Sequence, residues 1–473
     1  MRILLLTPPF NLMKEGYGSK RKLRAGFFPP LALGYLAAPL LKKGHQIKII
    51  DSSPLNYENE DIAREVDAFK PDLIGISVVT ATSRSAYNLV DFLKNNHSDL
   101  PIILGGPHMS CFPDLVFEKV LKLDMIVLGE GERVFEEVID YYSDNEELPI
   151  EVFGTWIRLE DGSIKKNPSA KAVMNLDEIL SPAHELYDYD LYRPLPLQYK
   201  KLPVANMLTS RGCPWGRCTF CFDAGRASQL YRRHSPERVI EEIKFLIKTQ
   251  KIKEVAFWDD NFLVNEKWVN RFCDLLDQEG IKIPWSAYGK VNTVSKSMLK
   301  RAADSGLWSI FYGIESGNQD LLDRVKKGIT LDQIRQAIEW SNQLNIDTRG
   351  SFMLALPGET PAKALKTIEF ACEVDFTYVQ FQPTYPEWGT ELYDDAIKNG
   401  QIVYAPAYEG RTAPAYVPNG YKNGQEIRDM QMLGYKKFYL RPKYIWKHFK
   451  RLRDLSKLKQ YLDAFIYFIG IVF

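Results

Sequence analysis

The cysteines constrain the fold and chemistry of this chain more than any other feature. Three of the six stand within one short segment, at Cys213, Cys218 and Cys221. A Cys-x4-Cys-x2-Cys run without a neighbouring histidine is one ligand short of a closed zinc site or of a fully ligated iron–sulfur cluster. Either one metal position stays open for another ligand, or a fourth thiolate comes from one of the scattered cysteines, Cys111, Cys273 and Cys372.

The residues around these cysteines favour an open cluster site. Arg211-Gly212 and Pro214-Trp215-Gly216 predict a tight loop that can wrap a cluster, and the aromatic Phe220 precedes the last cysteine. The segment resembles the cluster loop of the radical S-adenosylmethionine (SAM) enzymes, with one residue more than their common Cys-x3-Cys-x2-Cys spacing. The resemblance implies a 4Fe-4S cluster ligated by the three cysteines and, at its remaining iron, by SAM. A zinc site and purely structural thiols are the alternatives.

The composition of the whole chain further limits the class of protein to which it can belong. The 473 residues, 45% of them hydrophobic, are enough for two or three domains with their own cores. The 61 basic and 60 acidic residues balance, so the net charge favours neither a nucleic-acid nor an acidic partner, and we expect no nucleic acid to bind. The opening MRILLLTPPF is typical of a strand rather than of a signal peptide, and no run reaches the length of a membrane span. Because the cysteines form no disulfide framework, we expect a reducing, cytoplasmic location.

The first 145 residues alternate apolar runs with amphipathic segments. This alternation predicts a doubly wound, flavodoxin-like domain around a parallel sheet. The predicted strands are Arg2–Thr7, Gln46–Asp51, Leu73–Ser77, Pro101–Leu104 and Met125–Leu128. Such sheets bind ligands beyond the carboxyl ends of their strands, where this chain places mostly small residues.

Three motifs at these strand ends are similar to those of the cobalamin-binding domain that precedes many radical SAM cores. They are Ser-x-x-Thr from Ser77 to Thr80, Gly105-Gly106-Pro107-His108, and Gly129-Glu130-Gly131-Glu132. The resemblance implies that cobalamin contacts Pro8, Ser77, Thr80, Gly105, Gly106, His108, Gly129 and Glu130. An ordinary doubly wound domain, whose glycines only make turns, is the alternative.

One position departs from the better-known cobalamin domains. Those carry Asp-x-His-x-x-Gly, whose histidine binds the lower face of cobalt, and the corresponding residue here is Ser53. That absence is usual in the radical SAM branch, so the resemblance implies base-off cobalamin without a histidine ligand from the protein. His108 is predicted to cap the helix that follows Gly105-Gly106, or to contact the corrin edge.

Residues 146–203 form a predicted connector. Glu151–Lys166 alternates in polarity around Glu160-Asp161-Gly162, which predicts a β-hairpin. The remainder, Asn167–Pro203, is rich in proline, tyrosine and aspartate, as is typical of a linker.

Residues 204–390 are predicted to form a partial (β/α)6 barrel. Its predicted strands are Ala205–Thr209, Glu254–Trp258, Trp285–Tyr288, Ser309–Gly313, Thr348–Leu354 and Tyr378–Pro383. Barrel chemistry lies at the carboxyl ends of the strands, and the cysteine loop follows the first of them.

Further strand-end motifs resemble those with which radical SAM enzymes hold SAM. They include Gly313-Ile314-Glu315-Ser316-Gly317 after the fourth strand and Met353–Thr360 after the fifth. The resemblance implies contacts to SAM from Phe220, Asp259 or Asp260, Glu315, Ser316, Arg349 and Leu356. Because a buried carboxylate without a partner is costly, we expect a polar ligand at Glu315.

The rest of the chain carries no second cysteine cluster. Cys273 and Cys372 lie among apolar residues on predicted helices, as core thiols do. This pattern argues against radical SAM classes with auxiliary clusters, including the methylthiotransferases.

Residues 391–473 are predicted to be mostly helical. Between Arg441 and Lys459 there are eight Lys or Arg residues against one Asp, and the apolar LDAFIYFIGIVF follows. This segment is either a terminal helix docked on the core or an attachment to an anionic membrane surface. Candidates to line a substrate cavity are Tyr435, Phe438, Tyr439, Tyr444 and Trp446.

Together these features predict a cobalamin-dependent radical SAM enzyme, in the first place a C-methyltransferase. The resemblance implies that a 5′-deoxyadenosyl radical takes hydrogen from an unactivated carbon, which then receives the methyl group of methylcobalamin. The alternatives are an oxidative cyclase or rearrangement enzyme, by resemblance to the anaerobic porphyrin-ester cyclases, and a non-catalytic corrinoid or Fe–S sensor. We expect a small-molecule, lipid-like or peptide substrate and a reducing electron-donor protein as partners.

Overall fold

The structure is a computed structural model that describes residues 1–10, 25–221, 230–403 and 414–451. Within these ranges the chain forms two compact units, Met1–Arg193 and a second that begins at Pro194. Each unit contains its own largely parallel sheet. The predicted α/β class, with a doubly wound domain followed by a six-stranded barrel sheet, is confirmed.

The first unit is built on a seven-stranded sheet in the order β2-β1-β3-β4-β5-β6-β7. Its strands are β1 (Arg2–Thr7), β2 (Gln46–Asp51), β3 (Leu73–Ser77), β4 (Ile102–Gly105), β5 (Met125–Val127), β6 (Thr155–Arg158) and β7 (Ile164–Lys166). The first five are parallel and have the flavodoxin-like order, with the topological switch between β1 and β3. The predicted hairpin, β6–β7, extends this sheet by pairing antiparallel with β5.

Helices cover both faces of the first sheet. They are α1 (Leu31–Lys42), α2 (Ser52–Leu55), α3 (Asn59–Phe69), α4 (Ser83–Asn96), α5 (Pro107–Cys111), α6 (Pro113–Lys119) and α7 (Gly131–Asn145). Successive side chains of a strand point to opposite faces, so Leu4 and Leu6 of β1 join one core cluster and Ile3 and Leu5 join the other. A strand covered on both faces needs the continuous apolar run that identified it in the sequence.

The second unit contains an open, parallel, six-stranded sheet in the order β15-β14-β13-β12-β11-β8. Its strands and two short ribbons are β8 (Val204–Met207), β9 (Ser210–Arg211), β10 (Arg232–Arg233), β11 (Glu254–Phe257), β12 (Trp285–Gly289), β13 (Leu307–Glu315), β14 (Asp347–Leu354), β15 (Tyr378–Pro383), β16 (Gly400–Ile402) and β17 (Tyr416–Pro418). Because β8 and β15 are edge strands, the barrel is partial, as predicted.

The helices of the second unit alternate with these strands. They are α8 (Pro236–Gln250), α9 (Glu266–Gln278), α10 (Lys296–Asp304), α11 (Gln319–Arg324), α12 (Leu331–Gln343), α13 (Pro361–Glu373), α14 (Glu391–Asn399), α15 (Gly424–Tyr439) and α16 (Pro442–Arg451). Seven begin at a side chain that accepts the backbone N–H three residues on, namely Ser235, Asn265, Ser295, Thr330, Thr360, Thr390 and Asn423. Such N-caps fix where each helix starts and thus where each strand ends.

Helix α15 packs along the open side of the edge strand β15 and binds its backbone. The Tyr439 hydroxyl donates to the Val379 carbonyl at 2.7 Å and accepts the Val379 N–H at 3.0 Å. Tyr435 binds the Phe381 carbonyl in the same way, at 3.2 Å. An unpaired strand edge invites aggregation, so these aromatic side chains protect the edge of the sheet.

Helix α15 is therefore docked on the second sheet. The docked-helix interpretation concerned the segment that follows, from Arg441 onwards, and stays a prediction. The predicted tail beyond residue 451 lies outside the described residues. Within the part of the chain that the structure describes, no helix is long and apolar enough to cross a membrane.

Candidate active site

The three-cysteine loop follows β8 and begins at β9. Cys213, Cys218 and Cys221 are free of disulfides and partly exposed, whereas Cys273 is fully buried on α9. Among the described residues, no three His, Cys, Asp or Glu side chains are grouped so as to hold a single metal ion.

Trp215, in the longer first gap of the loop, anchors the loop to the segment after α11. Its indole Nε1 donates to the Lys326 carbonyl at 2.8 Å. Its ring lies where a Cβ on Gly328 would come within 2.1 Å, and Gly328 has a φ of +65°. Only glycine combines this backbone conformation with this close approach. The Thr219 N–H adds a bond to the Val325 carbonyl at 3.1 Å.

The buried carboxylate of Glu315 has its partner within the chain. Lys327 Nζ lies 2.7 Å from Glu315 Oε1, and both side chains are almost wholly buried. Lys327 offsets the charge of Glu315 within the chain, so burial alone does not imply a polar ligand there, and that ligand stays a prediction. Burial raises the pKa of the Cys218 thiol, and the ammonium groups of Lys327 and Lys290 oppose that rise.

Lys290 places a second cation beside the loop, directly after β12. Its Nζ lies 3.7 Å from the centroid of the Trp215 ring, a cation–π contact. The side chain is 8% exposed, and its ammonium has no hydrogen-bond partner among the described residues. Burial lowers the pKa of Lys290 to about 8. An orphaned ammonium next to these thiols fits a site that holds an anionic cluster.

The two aspartates after β11 have different surroundings. Asp259 is buried and accepts the Thr209 N–H at 3.1 Å, the Thr209 hydroxyl at 2.7 Å and the Ser210 hydroxyl at 2.5 Å. It thereby fixes the chain at the start of the cysteine loop. Asp260 is exposed. Of the two candidates for the amino group of SAM, Asp260 is thus the accessible carboxylate.

Ser316, Leu356 and Phe220 all lie inside the second unit. The fully buried Ser316 hydroxyl is 3.2 Å from that of Thr367 and accepts the Asn318 N–H at 3.1 Å. Leu356 belongs to a small apolar cluster against which Phe220 packs. Packing thus joins the cysteine loop to the end of β14.

Arg349 lies on the inner face of the partial barrel. Burial alternates along β14, so that one face packs against helices while the other, which includes Arg349 and Ser351, stays half-buried. Arg349 Nε donates to the Ser309 hydroxyl at 3.2 Å, and Gln380 donates to Ser351 at 3.0 Å. Burial lowers the pKa of the Arg349 guanidinium. These polar groups form the lining that could meet a ligand inside the barrel.

The carboxyl edge of the first sheet is lined by glycine and backbone. Ser77 at the end of β3 pairs with Gly105 of β4, and Pro8 and Gly129 follow β1 and β5. A Cβ on Gly105 would meet nothing closer than 4.0 Å, and one on Gly129 nothing at all within 4 Å. The predicted residues therefore share one edge, which offers open surface to a large flat ligand.

Gly106 has a different role from Gly105 and Gly129. Its φ is +99°, and a Cβ would lie 2.7 Å from the Val78 carbonyl oxygen. It lets the backbone turn tightly between β4 and α5. Glu130 is the N-cap residue of α7 but makes no side-chain capping bond.

His108 neither caps α5 nor faces solvent. It is fully buried, with Nε2 2.7 Å from the Tyr87 hydroxyl and Nδ1 3.3 Å from that of Thr80. Burial lowers its pKa to about 4, so the imidazole is neutral near pH 7. The capping prediction is wrong because α5 begins at Pro107 with no side-chain cap.

The opposite end of the same edge is closed. The Thr7 hydroxyl donates to Asp51 at 2.7 Å, Ser53 donates to the Phe10 carbonyl at 3.1 Å, and the buried Tyr192 of the connector lies against Asp51. Burial raises the pKa of Asp51 to about 6. The open part of the edge is thus the side formed by β3, β4 and β5.

Comparison with known proteins identifies both domains. Residues 23–139 match the B12 binding domain family, and residues 207–371 match the Radical SAM superfamily. An uncharacterized methyltransferase of Pyrococcus horikoshii is 32% identical over 448 residues, which cover 94% of each chain. An anaerobic magnesium-protoporphyrin IX monomethyl ester cyclase of Rubrivivax gelatinosus is 25% identical over 98% of this chain and 82% of its own.

A solved structure shares the fold. It is the cobalamin-dependent S-adenosylmethionine radical enzyme OxsB with aqua-cobalamin bound, which aligns with a TM-score of 0.65 and 21% identity. The alignment covers 83% of this chain and 55% of that one, so the chain spans about half the length of OxsB.

The fold, the three-cysteine loop and the open glycine edge define a radical SAM enzyme with an added corrinoid-binding domain. The similarity to the methyltransferase of Pyrococcus horikoshii covers 94% of both chains, so it assigns the whole chain, and not one domain alone, to a family. This chain belongs to the cobalamin-dependent radical SAM enzymes, whose cofactors are a 4Fe-4S cluster, SAM and cobalamin.

Sequence reasoning missed the two lysines at the cysteine loop. Lys290 lies two residues beyond the predicted strand Trp285–Tyr288, so the rule that selected the other strand-end residues could have found it. Lys327 lies twelve residues after its partner Glu315, across α11. Only the folded chain reveals that pairing.

Proposed function

We propose that this enzyme is a C-methyltransferase that places a methyl group carried by cobalamin on an unactivated carbon. The observation that carries the proposal is the 32% identity, over 94% of both chains, to a protein named as a methyltransferase. When bound, the cluster and SAM supply a carbon radical by one-electron cleavage, and cobalamin supplies the methyl group.

The chain itself binds and orients these groups. Cys213, Cys218 and Cys221 would hold the cluster, with SAM as its further ligand. Asp260 meets the SAM amino group, while Asp259 keeps the loop in place. The half-buried Arg349 meets SAM or substrate on the inner face of β14.

Cobalamin is proposed to bind base-off on Gly105 and Gly129, without a histidine ligand. Ser53 stands where a histidine would be needed, and the only imidazole in the motif, that of His108, is buried against Tyr87. Electron paramagnetic resonance of the cob(II)alamin form tests this proposal. We expect no nitrogen splitting from a protein imidazole, and such splitting would contradict it.

A radical oxidative cyclisation or rearrangement is the second candidate. It is favoured by the 25% identity to the porphyrin-ester cyclase over 98% of this chain. In such a reaction SAM is cleaved only to 5′-deoxyadenosine, whereas methyl transfer also converts SAM to S-adenosylhomocysteine.

An anaerobic assay with methyl-labelled SAM separates the two candidates. The reconstituted full-length protein is given cobalamin, a low-potential reductant and candidate substrates. Methyl transfer predicts both nucleoside products and label on the substrate or on the retained corrinoid. Retained corrinoid and 5′-deoxyadenosine, with no S-adenosylhomocysteine and an unlabelled product, would contradict methyl transfer and favour the cyclase.

The tail is proposed to contact an anionic membrane surface, with a lipid-like substrate as one possibility beside a small molecule or a peptide. Helix α16 exposes Ile445 and Trp446, which are 53% and 60% exposed, next to the exposed Lys443. Co-sedimentation with vesicles containing anionic or only zwitterionic lipids tests this contact. Binding to neither kind of vesicle would contradict it. A reducing cytoplasm and an electron-donor protein complete the proposal.

A further inference from the structure

Two ammonium groups lie beside the cysteine loop, and only one has a carboxylate partner. Lys327 is paired with Glu315 at 2.7 Å. Lys290 is buried over the Trp215 ring, and its Nζ has no hydrogen-bond partner in the described ranges. Both ammonium groups lie over aromatic rings of the loop, Lys290 at 3.7 Å from the Trp215 centroid and Lys327 at 5.5 Å from that of Phe220. Of these two buried ammonium groups, Lys290 is therefore the one whose charge no described carboxylate compensates.

A buried charge without a partner is costly, so its retention calls for a counter-charge. The loop supplies one when its cysteines ligate a cluster as thiolates. One-electron reduction of the cluster, by a low-potential electron carrier, adds a further negative charge at the same place and forms or breaks no bond. A fixed cation nearby stabilises the reduced state more than the oxidised state, because the reduced state carries more negative charge.

We propose that Lys290 acts through its charge and not as a ligand. Its ammonium, fixed over Trp215, raises the reduction potential of the cluster bound by Cys213, Cys218 and Cys221. The anchoring of Trp215 to Lys326 and Gly328 keeps that ammonium at the loop. The inference rests on the cluster alone and is independent of whether the enzyme transfers methyl groups.

A redox titration of the reconstituted full-length protein, followed by electron paramagnetic resonance without SAM, tests the proposal. Lys290→Met removes the charge, and Lys290→Arg keeps it. Lys326→Met is the matched control, because that lysine is exposed and pairs with Glu391 at the surface. Iron content and circular dichroism establish that each variant is folded and loaded.

We expect Lys290→Met to make reduction about tenfold less favourable, which for a one-electron couple is a shift of about 59 mV to more negative potential. Lys290→Arg and Lys326→Met should stay near the wild-type potential. An unchanged potential in Lys290→Met, or an equal shift in the Met and Arg variants, would overturn the proposal.

A second neutral variant keeps the test decisive if Lys290→Met takes up less iron. Lys290→Gln retains a polar side chain of similar length and removes only the charge, so its potential should also fall. Loss of iron from both neutral variants, with iron retained by Lys290→Arg, would mean that the charge is needed to bind the cluster. That result would overturn the proposal that Lys290 raises the reduction potential of the cluster.

Discussion

The carboxyl edges of the two sheets carry different kinds of residue, and each kind suits a different cofactor. The edge of the first sheet offers glycine and backbone at β3, β4 and β5, and its one imidazole, His108, is buried and neutral. The edge of the second sheet carries thiols, carboxylates and two buried ammonium groups. A large flat cofactor needs room and contact area, whereas a charged cluster needs ligands and counter-charges.

This contrast predicts that a substitution at one edge affects only the cofactor that binds at that edge. A side chain added to the first edge should displace the corrinoid and leave iron in place. A ligand or anchor removed from the second edge should release iron and leave the corrinoid in place. Each unit has its own core, which is what makes such independence physically reasonable.

Loss of a cluster ligand should have the largest effect. In Cys218→Ala, with two thiolates left in the loop, we expect loss of nearly all cluster iron and of SAM cleavage, and normal corrinoid content. Iron and sulfide analysis after anaerobic reconstitution measures this effect. Cys372→Ala, in the same unit but outside the loop, should keep its iron; equal loss from both variants would contradict the ligand assignment.

Disturbing the anchor of the loop should have the next largest effect. A methyl group in Gly328→Ala meets the Trp215 ring, so we expect partial loss of iron and a free energy of unfolding lowered by about 2–3 kcal/mol beyond the backbone strain. Gly280→Ala is the matched control, since its φ of +64° is nearly the same and nothing lies within 4 Å of the added Cβ. Urea unfolding of the two variants separates overpacking from strain, and equal losses would contradict the anchor.

A single methyl group on the first edge should act on cobalamin alone. In Gly105→Ala the added Cβ has space, because the nearest atom is 4.0 Å away and φ is unstrained. We expect weaker corrinoid retention, by severalfold, at unchanged stability and iron content. Equilibrium dialysis with cobalamin measures the retention. Wild-type affinity in this variant would remove Gly105 from the binding surface.

The smallest effect on cofactor content is expected at Glu359, a buried carboxyl group between β14 and α13. Burial raises its pKa to about 7; Tyr421 donates to its Oε1 at 2.7 Å, while its Oε2 has no partner among the described residues. Because the folded state keeps this proton to higher pH than the unfolded state, stability should fall as pH rises from about 4.5 to about 7 and then level off. The contribution is up to about 3 kcal/mol.

The comparison of wild type with Glu359→Gln isolates this contribution. The variant should lose less stability between pH 5 and 7, because its amide does not ionise. Asp51 and Glu254, whose pKa values burial also raises, are present in both proteins and cancel in the difference. Glu339→Gln, at an exposed position on α12, should follow the wild-type curve. Parallel curves for wild type and Glu359→Gln would contradict the assignment.

At both edges the sequence predicts the positions of the strand ends better than the partners of the side chains that lie there. Strand positions followed from apolar runs, because a strand covered on both faces must be apolar throughout. The glycine motifs and cysteines lay at strand ends and were found by that rule. Partners could not be found this way: Glu315 pairs with Lys327 across a helix, His108 with Tyr87 of α4, and Asp259 with Thr209 of a neighbouring strand end. Such pairings depend on side-chain directions that only the packed fold fixes.

The most direct test of the account is to measure iron and cobalt in the same reconstituted samples of wild type, Cys218→Ala and Gly105→Ala. The account predicts about four iron atoms and one cobalt per wild-type chain. It also predicts loss of iron alone in Cys218→Ala and reduced cobalt alone in Gly105→Ala. Iron without cobalt in the wild type, or joint loss of both metals in either variant, would contradict the separate assignment of the two edges.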